Sequence, residues 1–198
     1  VIVTADHETG GFGFSYSAND LPHSRDLPGD VFEEQQFKPA FNFGDVSTLD
    51  KLYAQKSSYA DIFYGQFDSL AKDQQTPENL AKIVNAETEF DITEEQASRI
   101  LATENNRYYT KGHKYLGSKV VPKMDTNGAF FVYQTDDNRQ NLLAQEVAEG
   151  QSVVWATGTH TSTPVLVFTQ GPVNAIAPFN KVLHHTQIGQ NVIDVLEN

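Results

Sequence analysis

The chain opens with the apolar stretch Val1-Ile2-Val3-Thr4-Ala5-Asp6, which decides how its fold is interpreted. The apolar side chains do not alternate with polar ones, a pattern typical of a strand buried on both faces of a parallel sheet. Such a strand needs neighbouring strands to satisfy its backbone hydrogen bonds. Because no residue precedes it, we expect the chain to be the carboxyl-terminal part of a longer protein, in which any signal peptide would lie upstream.

Strands and helices alternate in the last third of the chain. Strands are predicted over residues 129–133, 153–155 and 164–168. One helix is predicted to be capped by Asp136 and Asp137 and to end at Gly150, and a last helix follows Thr186. The predicted buried face of this last helix consists of Ile188, Val192, Val195 and Leu196. This alternation predicts an α/β fold, part of a mostly parallel sheet with helices on both faces.

A polar, glutamine-rich segment separates the two apolar parts of the sequence. We therefore expect three regions: residues 1–20 with the core strand and a ligand loop, an insertion over 21–118, and the remainder of the α/β core over 119–198. Helix starts in the mainly helical or irregular insertion are predicted at Thr76-Pro77 and at Thr93, the latter by a capping box. An aromatic stripe over residues 61–70 is expected to pack the insertion onto the core, with a partner surface as the alternative.

Composition excludes several classes of protein. Of the 198 residues, 14 are Lys or Arg and 26 are Asp or Glu, which gives a net charge of −12. An acidic chain is unsuited to reading the nucleic-acid backbone, so no nucleic-acid partner is expected. The absence of cysteine excludes disulfides, thiolate zinc sites and a cysteine nucleophile. No apolar run reaches the roughly 18–20 residues that span a bilayer, so no membrane partner is expected.

Candidate metal ligands follow the first predicted strand. Asp6 and His7 lie at its carboxyl end, where open α/β sheets place their ligands. A carboxylate and an imidazole are two of the ligand types that zinc prefers, although a hydrogen-bonded structural pair is the alternative. Glu8 could orient such a ligand, or it could be a solvated or capping residue.

A second candidate ligand, His160, lies in the loop Thr157-Gly158-Thr159-His160-Thr161-Ser162-Thr163 between two apolar strands. A loop held between buried strands is a place where a rigid scaffold presents a functional side chain. An ordinary surface histidine is the alternative. The other histidines lack metal-ligand spacing and are expected to be exposed; they are His23, His113, His184 and His185.

Two longer motifs carry a family resemblance. Val-Thr-Ala-Asp-His-Glu-Thr-Gly-Gly at 3–11 and Thr-Gly-Thr-His-Thr-Ser-Thr-Pro-Val-Leu-Val-Phe-Thr-Gln-Gly-Pro at 157–172 resemble the carboxyl-terminal portion of bacterial alkaline phosphatases. Trp155 and the long polar insertion look most like the Vibrio-type branch, which has an extended loop that contacts the second subunit of a dimer. The resemblance covers about residues 1–14 and 150–198.

The resemblance implies a metal-dependent hydrolase of phosphate monoesters that works through a phosphoserine intermediate. Asp6 and His7 would bind one zinc ion, His160 would bind the other, and Trp155 would lie near the second metal or serve only in packing. The complete protein would hold two zinc ions and one magnesium ion, form a homodimer, and be periplasmic or secreted.

Several parts of that family's active site are absent from this sequence. The nucleophilic serine in its Asp-Ser-Ala context is missing, as is an Asp-x-x-x-His pair. No catalytic residue is therefore assigned here, and the 198 residues alone are expected to be inactive and to bind zinc weakly. Two alternatives remain: a phosphodiesterase, mutase or sulfatase of the same superfamily, and a non-catalytic interaction or dimerisation module in which Asp6, His7 and His160 are structural.

Overall fold

The chain divides into two compact units, which are described separately. A computed structural model describes residues 1–27, 29, 36–124 and 137–197. The first unit combines Val1–Gly11 with His160–Asn198, and the second spans Phe12–Thr159. The division into residues 1–20, 21–118 and 119–198, which the sequence analysis expects, stays a prediction.

Two antiparallel strand pairs build the first unit. Strand β1 (Ile2–Thr4) pairs with β10 (Val167–Thr169), so that Val3 lies opposite Phe168. Strand β2 (Glu8–Thr9) pairs with β9 (His160–Thr161). These pairs join the two ends of the chain, because each contains one strand from the start and one from near the end.

Three further antiparallel pairs lie in the second unit. They are β3 (Gly13–Phe14) with β8 (Val153–Val154), β4 (Arg25–Asp26) with β5 (Gln36–Phe37), and β6 (Thr103–Asn105) with β7 (Val120–Pro122). The structure thus mixes helices with short strands, as the sequence predicts at that coarse level. Within the described residues no clear parallel sheet is formed. The strand predicted over 129–133 and the cap at Asp136 lie outside the described residues.

Helices dominate the second unit. They are α1 (Ser47–Tyr53), a π-helix (Asp61–Phe67), a 3₁₀ turn (Lys72–Gln74), α2 (Pro77–Glu87), α3 (Glu94–Leu101) and α4 (Asp137–Val147). Both predicted helix starts are confirmed. The Thr76 side chain accepts a hydrogen bond from the backbone N–H of Asn79 ahead of Pro77. Thr93 and Gln96 form the reciprocal capping box.

The aromatic stripe lies inside the core of the second unit. Ile62, Phe63 and Phe67 are all buried. The ring centroids of the two phenylalanines lie 6.5 Å apart in an edge-to-face arrangement. Most of the other buried members of this cluster come from α2, α3 and α4, such as Leu80, Val84, Ile100 and Leu143, and two come from the segment between α2 and α3, Phe90 and Ile92. The stripe therefore packs helices within this unit against one another.

The first unit ends in α5 (Val173–Ile176), a 3₁₀ turn (Ala177–Phe179) and α6 (His185–Glu197). The prediction of a buried face on α6 is wrong in part: Ile188 and Val192 are half-buried, but Leu196 is 80% exposed. Among the described residues, no helix combines the length and hydropathy that crossing a membrane requires.

The prediction that β1 is buried on both faces is also wrong for this chain. Val1 is 80% exposed and Val3 57% exposed. The reason is geometric, since β1 belongs to a ribbon of only two strands in the described structure. A two-stranded ribbon lacks the flanking layers that bury an apolar strand in a larger sheet.

An ion pair connects α3 to α4. The Arg99 guanidinium donates from Nε to Glu146 Oε1 and from Nη2 to Glu146 Oε2, each at 2.8 Å. These hydrogen bonds hold the pKa of Glu146 below its usual value, and partial burial of the carboxyl opposes them. The pair therefore stabilises the fold only while Glu146 is ionised.

Truncating a core ring should destabilise the second unit. Phe63→Ala removes a fully buried side chain, so we expect the free energy of unfolding to fall by about 3–5 kcal/mol. Tyr53→Ala, at a 93% exposed ring, is the control and should change it by less than about 0.5 kcal/mol. Urea denaturation followed by circular dichroism measures both, and equal effects would contradict the assigned core.

Removing Arg99 should have an effect that depends on pH. The folded-state pKa of Glu146 is lowered, so its contribution is present above the pKa of the unfolded state and is lost as pH falls through the folded-state pKa. We expect Arg99→Gln to lower the melting temperature at neutral pH and to differ less from the parent protein in acid. Lys82→Gln removes the exposed Lys82–Glu78 pair and should have a smaller effect. A loss for Arg99→Gln that is independent of pH would show that the pair does not act through charge.

Candidate functional site

The candidate site is built where the start of the chain meets β9. After β2, the chain turns at Gly10 and Gly11, whose positive φ angles of 84° and 56° favour glycine. The pairing of β2 with β9 places Glu8 opposite Thr161 and Thr9 opposite His160. Glu8 and Thr161 are 153 positions apart in the sequence, so the fold alone brings these segments together.

The two predicted histidines are in contact. The rings of His7 and His160 stack with centroids 3.7 Å apart and planes inclined by 30°. Asp6 Oδ2 lies 3.4 Å from His7 Nε2, and the Asp6 side chain is 85% exposed. The structure therefore gathers Asp6, His7 and His160, the three predicted ligands, through contacts centred on His7.

The His7 ring is held by its Nδ1 atom. This nitrogen lies 3.2 Å from the Glu8 carbonyl oxygen and 3.1 Å from Thr9 Oγ1. Engagement of Nδ1 leaves Nε2 on the side of Asp6. A histidine whose one nitrogen faces a backbone carbonyl is oriented to use the other nitrogen as a metal ligand.

Glu8 links the two strands of the site. Its carboxylate accepts hydrogen bonds from the Gly11 backbone N–H, at 3.0 Å on Oε1, and from the Thr161 hydroxyl. The carboxylate thus bonds to the turn and to β9, and it positions both histidines through the backbone. The sequence interpretation missed Thr161, although its position directly after His160 in a threonine-rich loop was a usable signal.

Trp155 belongs to the second unit. Its ring lies 5.0 Å from that of Phe12, and it is 37% exposed. This contact with Phe12 is a packing contact, which is the alternative role that the sequence analysis gives for Trp155. Its predicted proximity to a metal stays a prediction.

The ligand chemistry fits zinc, but the described residues do not close a zinc site. One carboxylate and two imidazoles are suitable donors, whereas zinc normally takes four ligands. Within the described ranges, no group of three or more His, Asp or Glu side chains is arranged to hold a metal ion. The arrangement is therefore at most part of a metal centre.

Two of the remaining histidines, His113 and His184, make local hydrogen bonds. His113 Nδ1 accepts hydrogen bonds from the backbone N–H groups of Tyr115 and Leu116, each at 3.1 Å. His184 precedes α6, and its ring bonds to Thr186. All four of the remaining histidines lie at exposed positions, as the sequence predicts.

Comparison with protein-family models gives no match, and a search of curated protein sequences gives none. The assignment of a function therefore depends on the two motifs and on the contacts that the fold makes between them.

Removing the Glu8 carboxylate should loosen the site. Glu8→Ala leaves the Gly11 N–H and the Thr161 hydroxyl without their acceptor, so we expect a loss of about 1–3 kcal/mol in the stability of the first unit. The ring protons of His7 and His160 should also lose their mutual ring-current shifts in NMR spectra.

Glu95→Ala is the matched control. Glu95 is an exposed carboxylate on α3 in the second unit, paired with Arg99 at 3.3 Å. This variant should leave the histidine ring signals unchanged. If Glu8→Ala also leaves them unchanged, Glu8 does not position the two rings.

Proposed function

We propose that this chain is the carboxyl-terminal part of a metal-dependent alkaline phosphatase that hydrolyses phosphate monoesters. The observation that carries the proposal is the ring contact between His7 and His160 at 3.7 Å. The two motifs that resemble the family, at 3–11 and 157–172, are distant in sequence. Paired strands bring them together with their histidine rings in contact, which supports a shared metal centre.

In this proposal, the chain supplies an incomplete set of ligands. Asp6 and His7 would hold one zinc ion and His160 the other, and polypeptide beyond this chain would supply the remaining ligands, the magnesium site and the nucleophilic serine. When bound, the two zinc ions would activate the serine hydroxyl and stabilise the leaving oxygen. Because the chain carries a charge of −12, it repels phosphate at long range, so metals are needed for binding as well as for catalysis.

The residues of this chain have positioning tasks in that reaction. The Glu8 carbonyl fixes the His7 ring through Nδ1, and the Glu8 carboxylate joins the turn to β9. Rigid support of this kind keeps metal ligands oriented and typically changes metal affinity by about 10–100-fold.

We also propose the finer fold and assembly that the resemblance implies. In the complete protein, β1 and β10 would lie in a mostly parallel sheet with helices on both faces, and β10 would be an antiparallel neighbour of β1. The exposed apolar side chains of Val3 and Phe168, 57% and 62% exposed, support this. The complete protein would be a periplasmic or secreted homodimer, with the insertion 21–118 contributing to subunit contact.

The decisive experiment uses the complete protein of which this chain is the proposed carboxyl-terminal part. Loaded with zinc and magnesium, it should hydrolyse p-nitrophenyl phosphate at alkaline pH. His7→Ala and His160→Ala should each lower kcat by about 100-fold or more and reduce bound zinc, measured by elemental analysis. His23→Ala, at an exposed histidine, is the control and should retain both. The isolated 198 residues should be inactive.

Other outcomes separate the alternatives. Faster hydrolysis of bis(p-nitrophenyl) phosphate or of p-nitrophenyl sulfate would indicate a diesterase or sulfatase of the same superfamily. Activity and zinc content that are unchanged in the double variant Asp6→Ala and His160→Ala would show that these side chains are structural, as in an interaction module.

A further inference from the structure

The connection between β6 and β7 concentrates positive charge. Residues 105–124 are 20 consecutive positions without Asp or Glu, and they hold five of the 14 Lys and Arg residues of the chain. Because the whole chain has a net charge of −12, this segment is a local reversal of charge. Four of the five cations belong to the basic loop (residues 106–119): Arg107, Lys111, Lys114 and Lys119.

Hydrogen bonds within the basic loop fix its shape. The Asn106 backbone N–H donates to the Lys119 carbonyl oxygen at 2.8 Å and joins the two ends of the loop. The Thr110 N–H donates to the Leu116 carbonyl oxygen at 3.0 Å and closes a tighter turn between them. A compact loop with joined ends presents its side chains in a defined arrangement.

Exposed cations of the basic loop lie beside tyrosine rings. The Arg107 guanidinium carbon is 5.7 Å from the centroid of the Tyr108 ring. Lys119 Nζ is 6.0 Å from the centroid of the Tyr109 ring, which is 39% exposed. Within the described residues, Arg107, Lys111 and Lys119 form no ion pair with a carboxylate. The loop therefore offers a partner both positive charge and tyrosine, and Arg and Tyr are enriched at protein interfaces.

A groove of opposite charge lies in the same unit. It is a cavity of about 920 Å³ within Phe12–Thr159, and it is lined by one lysine and six carboxylates. Asp20, Glu89 and Asp91 are exposed, and they have no cationic partner among the residues that the structure describes. The carboxylates of this acidic groove are those of Asp20, Asp45, Glu89, Asp91, Glu146 and Glu149.

An aromatic cluster borders the acidic groove. Tyr16 lines the groove, and its ring centroid lies 4.7 Å from that of Phe41 and 5.4 Å from that of Phe43. The three residues are 57%, 43% and 69% exposed, respectively. Adjacent exposed rings are typical of an interaction surface, and their faces also attract Lys and Arg. The groove and its border therefore suit a partner that carries both cations and rings.

We propose that the basic loop of one copy of this chain docks in the acidic groove of a second copy, and that the contact is reciprocal. The inference rests on the proposed function in one respect, since it specifies the contact that joins the homodimer. The three cations of the loop without an ion pair match the three carboxylates of the groove without one, and the exposed Tyr109 ring matches the aromatic cluster. A reciprocal contact about a twofold axis closes as a dimer.

Electrostatics favours a second copy as the occupant. Two chains of charge −12 repel each other at long range, so their association needs a contact at which opposite charges face each other. The chain supplies both halves of such a contact in its second unit. A twofold dimer would use each half twice.

Reversing the charge on either side should separate the subunits of the complete protein. The loop variant, Lys111→Glu with Lys119→Glu, places carboxylates against carboxylates. The groove variant, Glu89→Lys with Asp91→Lys, places cations against cations. Because like charges in contact repel, each variant should raise the dissociation constant of the dimer by about 100-fold or more. Sedimentation velocity measures this constant, and added salt should weaken the parent dimer.

Lys72→Glu with Lys82→Glu is the matched control, because both lysines are exposed in the second unit and lie outside the basic loop. This variant should leave the dissociation constant unchanged. Circular dichroism checks that every variant is folded. If the charge reversal in the loop unfolds the chain, Lys111→Gln with Lys119→Gln replaces it and should raise the constant by about tenfold.

Mixing the loop variant with the groove variant gives the sharpest result. Each variant alone should be a monomer, but the two together should form a heterodimer. The reversed loop then meets the reversed groove, and the native loop meets the native groove. Failure to form a heterodimer would overturn the inference, as would a loop variant that dimerises like the parent protein.

Hydrolysis of p-nitrophenyl phosphate separates this inference from the phosphatase proposal. An active complete protein that is a monomer, or whose dimer both variants leave unchanged, would overturn the docking of the loop in the groove and leave the phosphatase proposal intact. An inactive protein whose variants dimerise only when mixed would contradict the phosphatase proposal, and the docking contact would stand.

Discussion

The pairing of β2 with β9 is the constraint on which the first unit depends. It consists of only two residues in each strand, Glu8 with Thr161 and Thr9 with His160. Two-residue strands contribute few backbone hydrogen bonds, and isolated short ribbons are marginal in water. The Glu8 carboxylate adds to them by bonding both to the turn at Gly11 and to the Thr161 hydroxyl. A charge-assisted side-chain bond therefore fixes the register that places one histidine ring on the other.

The sequence was informative wherever the determining interactions are local. Thr76 with Pro77, and Thr93 with Gln96, start helices because the side chain and the backbone group it bonds are three residues apart. The burial of Phe63 and Phe67 was also predictable from the apolar stripe. The residues that pack against the stripe were not, since they come from three separate helices and from the segment between α2 and α3. The π-helical geometry of that stripe has no signal in the residue pattern.

The longer-range features were predictable only in part. Asp6, His7 and His160 could be selected as a group from their motifs, and their contact required a pairing that composition and periodicity do not specify. The roles of Glu8 and Thr161 depend on that pairing, so they were left open or missed. The prediction that β1 is buried was wrong because burial needs other elements packed on both faces of the strand, and an apolar sequence does not supply them. Val1 and Val3 are exposed in this chain.

Zinc anomalous scattering from crystals of the complete protein would show whether His7 and His160 are metal ligands, because it locates the metal without reference to turnover. We expect two zinc peaks at the candidate site, one bonded to the imidazole of His7 and the other to the imidazole of His160. Zinc bound at other residues, with the stacked rings of His7 and His160 uncoordinated, would contradict it.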